Sequence, residues 1–216
     1  ESRLESLVNL TERYEGYGNS IRRVMEQKKK VPGILGVVAD LIQVEKDYEI
    51  AIETALGGSI QNIVTDHEQT AKQMIEFLKR NRYGRATFLP LTSIEGRGEF
   101  RTREALQEPG VLGIASDLVK VGKGFENLSR YLLDHAIAIG KKYRHSLRMV
   151  TLEGESLNPG GSMTGGAFRN NSNLLGRRRE IEELQEAVKR LKTEMAQLQN
   201  SMEKNRGRRN QLRDDL

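Results

Sequence analysis

An internal repeat organises this chain. Residues 32–42, PGILGVVADLI, return 77 positions later as residues 109–119, PGVLGIASDLV. Continued at the same offset to Leu56 and Leu133, the two copies share ten identities in 25 positions. A solenoid stacks three or more short units in a line, so two units of this length do not fit one. The repeat therefore predicts two half-domains that pack against each other.

Amphipathic helical patterns flank the repeat on both sides. In residues 1–14 the large residues follow a three-four spacing, at Leu4, Leu7, Thr11 and Tyr14. The same spacing recurs towards the C-terminus, at Ile181, Leu184, Val188, Leu191, Met195, Leu198 and Met202. Such stripes fit either a helix lying on the globular part or an antiparallel coiled coil between the two ends. We favour the coiled coil because the helices flank the repeat, and we expect the longer helix to be unpaired beyond Leu191.

Strands and helices alternate in the first copy. Short β-branched runs predict strands over residues 34–44, 60–65 and 85–91. Helical spacing predicts helices over residues 47–56 and 66–78. This alternation favours a mixed or parallel sheet with helices against it. The predicted fold class is α/β (α+β), with two related mixed-sheet half-domains flanked by an N- and C-terminal antiparallel coiled coil.

The second copy departs from the first after Leu133. When residues 134–135 are aligned with the Asp-His pair at residues 66–67, the strand over residues 60–65 has no counterpart. Deleting an internal strand would leave backbone donors and acceptors unpaired. We therefore expect residues to be missing from this sequence between Leu133 and Asp134.

These patterns divide the chain into four segments. They are an N-terminal coiled-coil strand with a linker helix, a first half-domain with its linker, a second half-domain and a C-terminal coiled-coil strand, at residues 1–28, 29–108, 109–170 and 171–216. The sequence begins without methionine and ends inside a helical pattern, so we expect a piece of a longer protein.

Composition excludes several classes of function. The absence of cysteine rules out disulfide and thiol chemistry. No apolar run approaches eighteen residues and no signal peptide is visible, so we expect a soluble, intracellular protein without a membrane span. The three histidines are too scattered for a metal site, and no cofactor is expected. The net charge of +5 permits an anionic partner without requiring one.

A glycine-rich segment at residues 154–166 is the most distinctive motif. A phosphate-binding loop would need lysine and then serine or threonine after its last glycine, where Ala167 and Phe168 stand. Thr164 occupies the place of the second glycine of a nucleophile elbow, so no catalytic site is expected. Two interpretations remain: tight turns within the chain, which the spacing favours, or a bare sheet edge on which another chain can pair.

Basic residues form clusters near the predicted helix junctions. They are Lys28–Lys30, Lys79 to Arg85, Lys141 to Arg148, and Arg177–Arg179. Charge runs are usually solvated faces. Clusters at both junctions can also bind DNA phosphates without reading bases.

Three segments resemble the hinge domain of bacterial structural maintenance of chromosomes (SMC) proteins. They are YGRATFLPL at residues 83–91, VTLEG at 150–154 and NPGGSMTGG at 158–166. The resemblance covers nearly the whole chain. It implies a hinge at the far end of a long antiparallel coiled coil, opposite ATPase heads that this chain lacks, and a ring-shaped homodimer. It also implies that opposite half-domains of two hinges meet at Gly160, Gly161, Gly165 and Gly166.

The resemblance further implies DNA binding, without sequence specificity, near the junction of hinge and coiled coil. The candidate residues are Lys28, Lys29, Lys30, Lys141, Lys142, Arg169, Arg177, Arg178 and Arg179. Other condensin subunits would act on the absent heads, and the whole protein would be cytoplasmic and nucleoid-associated. We expect a dimerisation module for chromosome condensation and segregation with secondary DNA binding. The alternative is a nucleic-acid-binding module in which dimerisation is incidental.

Overall fold

The computed structural model describes residues 2–95, 106–107, 109–134, 136–139, 148–159, 161–166 and 174–214. Its helices are α1 (Ser2–Glu12), α2 (Asn19–Met25), α3 (Val38–Leu41), α4 (Glu49–Leu56), α5 (Glu68–Asn81), α6 (Glu126–Leu133) and α7 (Leu174–Asp214). Its strands are β1 (Ile34–Val37), β2 (Ile42–Val44), β3 (Ile63–Thr65), β4 (Phe88–Pro90), β5 (Val111–Ile114), β6 (Val119–Val121), β7 (Ala136–Ile139), β8 (Arg148–Thr151), β9 (Ser156–Leu157) and β10 (Met163–Thr164).

The two half-domains have the same strand topology. In the first, β3 lies between β1, to which it is antiparallel, and β4, to which it is parallel. In the second, β7 lies between β5 and β8 in the same directions. The hairpin β9–β10 extends the second sheet beyond β8. Both sheets shift register at the equivalent glycine of the repeat, Gly36 in β1 and Gly113 in β5.

Strand β7 is the counterpart that the sequence alignment did not find for the strand over residues 60–65. Helix α6 ends with the Asp134 N–H donating to the Arg130 carbonyl at 3.0 Å, and the strand that was thought to be absent begins at Ala136. The prediction of missing residues between Leu133 and Asp134 is therefore wrong. The Asp-His pair at 66–67 follows its strand, whereas the pair at 134–135 precedes β7. The second copy is shorter between its two parallel strands instead, where residues 140–147 stand in place of residues 66–87.

Residues 34–44 do not form the single strand that was predicted. The helical turn α3 separates β1 from β2, and a 3-10 turn over Ala115–Leu118 separates β5 from β6 in the same way. Val38 and Ala39 of this turn are buried, so their apolar character reflects burial and not strand geometry. The turn redirects the chain, and β2 pairs with β6 of the other copy in an antiparallel ribbon.

One continuous core joins the two half-domains. Its fully buried side chains include Ile34, Ile42, Ile52 and Ile63 from the first copy and Leu128, Leu133 and Val150 from the second. Helix α4 of the first copy packs against β7, β8 and α6 of the second. Burial of each such side chain stabilises the fold by about 1.5–3 kcal/mol, so neither half-domain would retain its full core alone. The prediction that the copies pack against each other is confirmed.

Candidate functional site

The glycine-rich segment folds as a tight hairpin. The Gly161 N–H donates to the Asn158 carbonyl at 3.0 Å, and the Asn158 N–H donates to the Ser162 carbonyl at 2.9 Å. Gly161 has a φ of +92°, a conformation that costs glycine little and other residues much more. This glycine is therefore required by a turn within the chain, as one of the two sequence interpretations held.

Strand β10 forms an open edge. It is the last strand of the second sheet and, among the described residues, it pairs only with β9. Asn158 and Ser162 face each other across the hairpin and are joined by a backbone hydrogen bond. Hydrogen-bonded and non-hydrogen-bonded residue pairs alternate along an antiparallel ladder, so the next residue, Met163, points its N–H and C=O away from β9. The Met163 side chain is 71% exposed. Within the described part of the chain, the outer side of β10 thus presents a backbone donor and acceptor that no other strand pairs with.

The other predicted interface glycines differ in their surroundings. A Cβ added to Gly165 would lie 3.3 Å from the Cγ of Glu155, so this glycine packs against its own chain. A Cβ added to Gly166 would meet nothing within 4 Å. Gly160 lies outside the described residues. Gly166 therefore has open space where a side chain would stand.

A second open edge lies in the first half-domain. Strand β4 ends its sheet and pairs with β3 alone in the part of the chain that the structure describes. It contains Pro90, which has no N–H and is tolerated in edge strands. The equivalent strand β8 is covered by β9. The hairpin therefore covers in one copy the edge that the other copy leaves open.

The two terminal helices pair antiparallel at the base of the predicted coiled coil. Arg3 near the start of α1 forms an ion pair with Glu180 at 2.5 Å, and the Glu15 carbonyl beyond its end accepts from Arg177 at 2.9 Å. Further along α7 the seam is exposed by 58–70%, at Leu191, Met195, Leu198 and Met202. Both the antiparallel pairing and the unpaired distal seam are confirmed.

Arg177, Arg178 and Arg179 fix the start of α7 to the globular part. Arg177 donates to the Glu15 carbonyl, and Arg178 donates to the Asp40 carbonyl. Arg179 forms an ion pair with Glu49, and their hydrogen bond raises the pKa of Arg179. These predicted DNA-binding side chains already have partners within the chain.

The structure describes three of the six remaining predicted DNA-binding residues. Lys28, Lys29 and Lys30 are exposed, although the Lys28 Nζ donates to the Leu35 carbonyl at 2.7 Å. Lys29 lines a recess beside the base of α1 together with Arg13, Arg22, Arg23 and three glutamates. Lys141, Lys142 and Arg169 lie outside the described residues.

Four titratable groups at the base of α1 and α7, which are buried or half-buried, were not found from the sequence. Asp40 accepts from the Tyr14 hydroxyl at 3.1 Å, and burial raises the pKa of Asp40 and of both Tyr14 and Tyr17. Burial also raises the pKa of Glu53 to about 7. A signal was present in the sequence, because α4 reads EIAIETAL and carries two carboxylates one turn apart in an apolar helix.

Over the described ranges, no three His, Asp or Glu side chains come together as metal ligands. No helix in the same residues is long and apolar enough to cross a membrane.

Comparison with known proteins gives consistent matches. Residues 31–139 match the family model of the SMC proteins flexible hinge domain. The chromosome partition protein Smc of Desulfitobacterium hafniense is 42% identical over 212 residues, covering 92% of this chain and 18% of that protein. Smc of Bacillus subtilis is 38% identical over 211 residues, with the same coverage of 92% and 18%. This chain therefore spans about a fifth of the length of these relatives.

Solved structures match the fold as well. An asymmetric dimer of the Geobacillus stearothermophilus SMC hinge domain superposes with a TM-score of 0.83 at 37% identity, covering 92% of this chain and 84% of that one. The Pyrococcus furiosus Smc hinge domain with an extended coiled coil gives a TM-score of 0.61 at 30% identity, covering 93% and 78%.

Proposed function

Because this chain belongs to the SMC hinge family, we propose that it is a dimerisation module that joins two coiled-coil arms of a chromosome partition protein. The observation that carries the proposal is the open backbone of β10 beside Gly166. The related hinge domain of Geobacillus stearothermophilus was solved as a dimer, which supports the same assembly for this chain.

The two open edges suggest how the dimer is built. Strand β10 belongs to the second half-domain and β4 to the first, and each ends its sheet. If β10 of one molecule meets the β4 side of another, a twofold axis repeats the contact and closes the assembly. Both half-domains then take part in the dimer, and the arms of the two molecules are held together.

Removing one backbone donor tests this proposal. Met163→Pro deletes the outward N–H of β10 and keeps the inner ladder with β9, since proline is compatible with an edge position. Met163→Ala is the matched control, because it shortens the same side chain and keeps the donor. Light scattering after size-exclusion chromatography should find the proline variant monomeric at concentrations where the wild type and the alanine variant are dimeric. If the proline variant is as dimeric as the alanine variant, the proposal that the dimer forms through the edge of β10 is wrong.

We further propose that DNA binding is a secondary activity centred on Lys29 and Lys30. Both side chains are exposed, whereas Arg177–Arg179 are engaged. Reversal to Lys29→Glu and Lys30→Glu should weaken DNA binding and reduce its salt dependence, since each lost phosphate contact lowers the slope. Reversal of Lys72 and Lys123, which are exposed and lie outside the basic clusters, is the control. Equal losses from both pairs would assign the binding to net charge.

The alternative, a nucleic-acid-binding module with incidental dimerisation, predicts a different result for the same proteins. A monomeric Met163→Pro protein that still supports chromosome segregation when placed in the full-length protein would favour it. In our proposal the rest of such a protein carries the ATPase heads and the binding sites of other condensin subunits. Condensation and segregation then require the dimer.

A further inference from the structure

The C-terminal arm is rooted on helix α4 of the first half-domain, although it follows the second half-domain in the sequence. Leu174 and Leu175, the first described residues of α7, are only 6% and 4% exposed. Their backbone N–H groups donate to the carboxylate of Glu53 on α4. Glu53 itself is 8% exposed. A carboxylate therefore caps the start of the arm from inside the hinge.

The environment of Glu53 is poorly suited to a negative charge. Its Oε2 is buried without a hydrogen-bond partner among the described residues. Glu49 lies one turn earlier on the same helix and adds a like charge, although its own carboxylate is paired with Arg179. A buried carboxylate with an unsatisfied oxygen is costly when ionised and much less so when protonated.

The other charged groups around Glu53 come from neighbouring elements. Arg177 of α7 faces it with a positive charge, and Tyr17 faces it from the turn that follows α1. Helix α6 and strand β8 also pack against α4. Their charged residues are Glu126, Arg130 and Arg148. The turn Lys46–Tyr48 precedes α4, packs against it and adds Lys46 and Asp47.

We propose that Glu53 makes the attachment of the C-terminal arm to the hinge proton-dependent. Protonated Glu53 stays buried and holds the root of α7, whereas ionised Glu53 favours a state in which the root lifts and the carboxylate reaches water. The two states differ in how rigidly the arm is held. This inference goes beyond dimerisation, since the contacts involved lie within one chain.

The direction of the pH effect follows from linkage. Burial raises the pKa of Glu53 from 4.5 to about 7 in the attached state, and solvation in the lifted state returns it towards 4.5. The attached state therefore binds the proton more tightly, and lowering the pH favours attachment. Raising the pH from about 6 to about 8 should shift the ratio of lifted to attached molecules by up to about tenfold.

Spin labels can measure this shift, because the chain contains no cysteine that would compete for labelling. Lys72→Cys on α5 and Lys189→Cys on α7 place one label on the hinge and one on the arm. Labelled protein is diluted with unlabelled protein, so that distances within one molecule dominate. Pulsed electron paramagnetic resonance measures the distance between the two labels. Its distribution should be narrow near pH 6 and broader near pH 8.

The same measurement on Glu53→Gln separates the ionisation of Glu53 from other effects of pH. Glutamine keeps an acceptor for the two N–H groups and cannot ionise, so its distribution should stay narrow at both pH values. Glu76→Gln, an exposed change on α5, should keep the wild-type response. A wild-type distribution that is unchanged with pH, or a Glu53→Gln variant that retains the response, would overturn the proposal.

A carboxyl carbon NMR titration of the wild type needs no substitution. A midpoint for Glu53 near 7 supports the proposal, and one near 4.5 rejects it. Light scattering on the same samples reports the dimer separately. If the proposal on Glu53 fails, the proposal of dimerisation through β10 is therefore unaffected, and the reverse also holds.

Discussion

Gln43 and Lys120 lie directly opposite each other in the antiparallel ribbon of β2 and β6. They are also the same position of the repeat, 77 residues apart, so a local twofold axis relating the two copies passes through this pair. The pair departs from symmetry in its outer contacts. Gln43 donates to Glu182 of α7, and Lys120 donates to Glu45 beside β2. Two equivalent positions of the repeat are thus inequivalent, and in one of them the difference is a contact with the arm.

The ribbon between the copies should be essential for stability. Ile42, which pairs with Val121, is 1% exposed, so Ile42→Ala should lower the free energy of unfolding by about 2–4 kcal/mol through lost contacts and a cavity. Chemical denaturation measures this loss. Gln43→Ala, the exposed neighbour, should cost no more than about 0.5 kcal/mol. Similar costs for both would show that the ribbon buries little.

The ion pair between Glu49 and Arg179 should be strongly coupled. The Glu49 side chain is 5% exposed and that of Arg179 is 26% exposed. Removing either partner therefore leaves a largely buried charge without its counter-charge. Each single alanine variant should lose about 2–4 kcal/mol, and a double-mutant cycle should return a coupling of at least about 1 kcal/mol. The pair of Glu45 and Lys120, exposed by 65% and 76%, should couple by less than about 0.5 kcal/mol. Additive losses at Glu49 and Arg179 would contradict this assignment.

The end of α4 should depend on the backbone of one glycine. Gly57 has φ +52° and ψ −132°, and a Cβ there would meet nothing within 4 Å. Gly57→Ala should therefore cost about 1–2 kcal/mol through backbone strain alone. The neighbouring Gly58→Ala, also in open space, is the control and should be nearly neutral. Thermal unfolding compares the two, and equal melting temperatures would exclude strain at Gly57.

Stability should fall with rising pH because of Glu53. The folded state holds its proton up to about pH 7, whereas the unfolded chain releases it near 4.5. The contribution of this group is fully present below pH 4.5 and is lost as the pH rises through about 7. The stability of Glu53→Gln relative to the wild type should therefore grow from about pH 5 to about pH 8. Chemical denaturation at several pH values measures this difference in the free energy of unfolding. A difference that stays constant across this range would contradict the prediction.

The sequence by itself determined the features that depend on local pattern. The repeat at Pro32 and Pro109 identified two half-domains. The three-four spacing that ends at Met202 predicted an apolar seam, because side-chain periodicity is set by helix geometry alone. The shorter N-terminal pattern predicted that the seam beyond Leu191 has no partner in this chain. The motif at residues 158–166 likewise indicated tight turns or a bare sheet edge, because both depend on glycine at particular positions.

Only the tertiary structure decided how these parts meet. An alignment of two polar residues hid β7, whose identity rests on pairing with β5 and β8 across the chain. Arg179 appeared free in a basic run until Glu49, far away in sequence, was brought beside it. Burial in the assembled core raises the pKa of Glu53 to about 7. Strand pairing, ion pairing and burial all depend on residues that are distant along the chain, and local pattern carries no record of them.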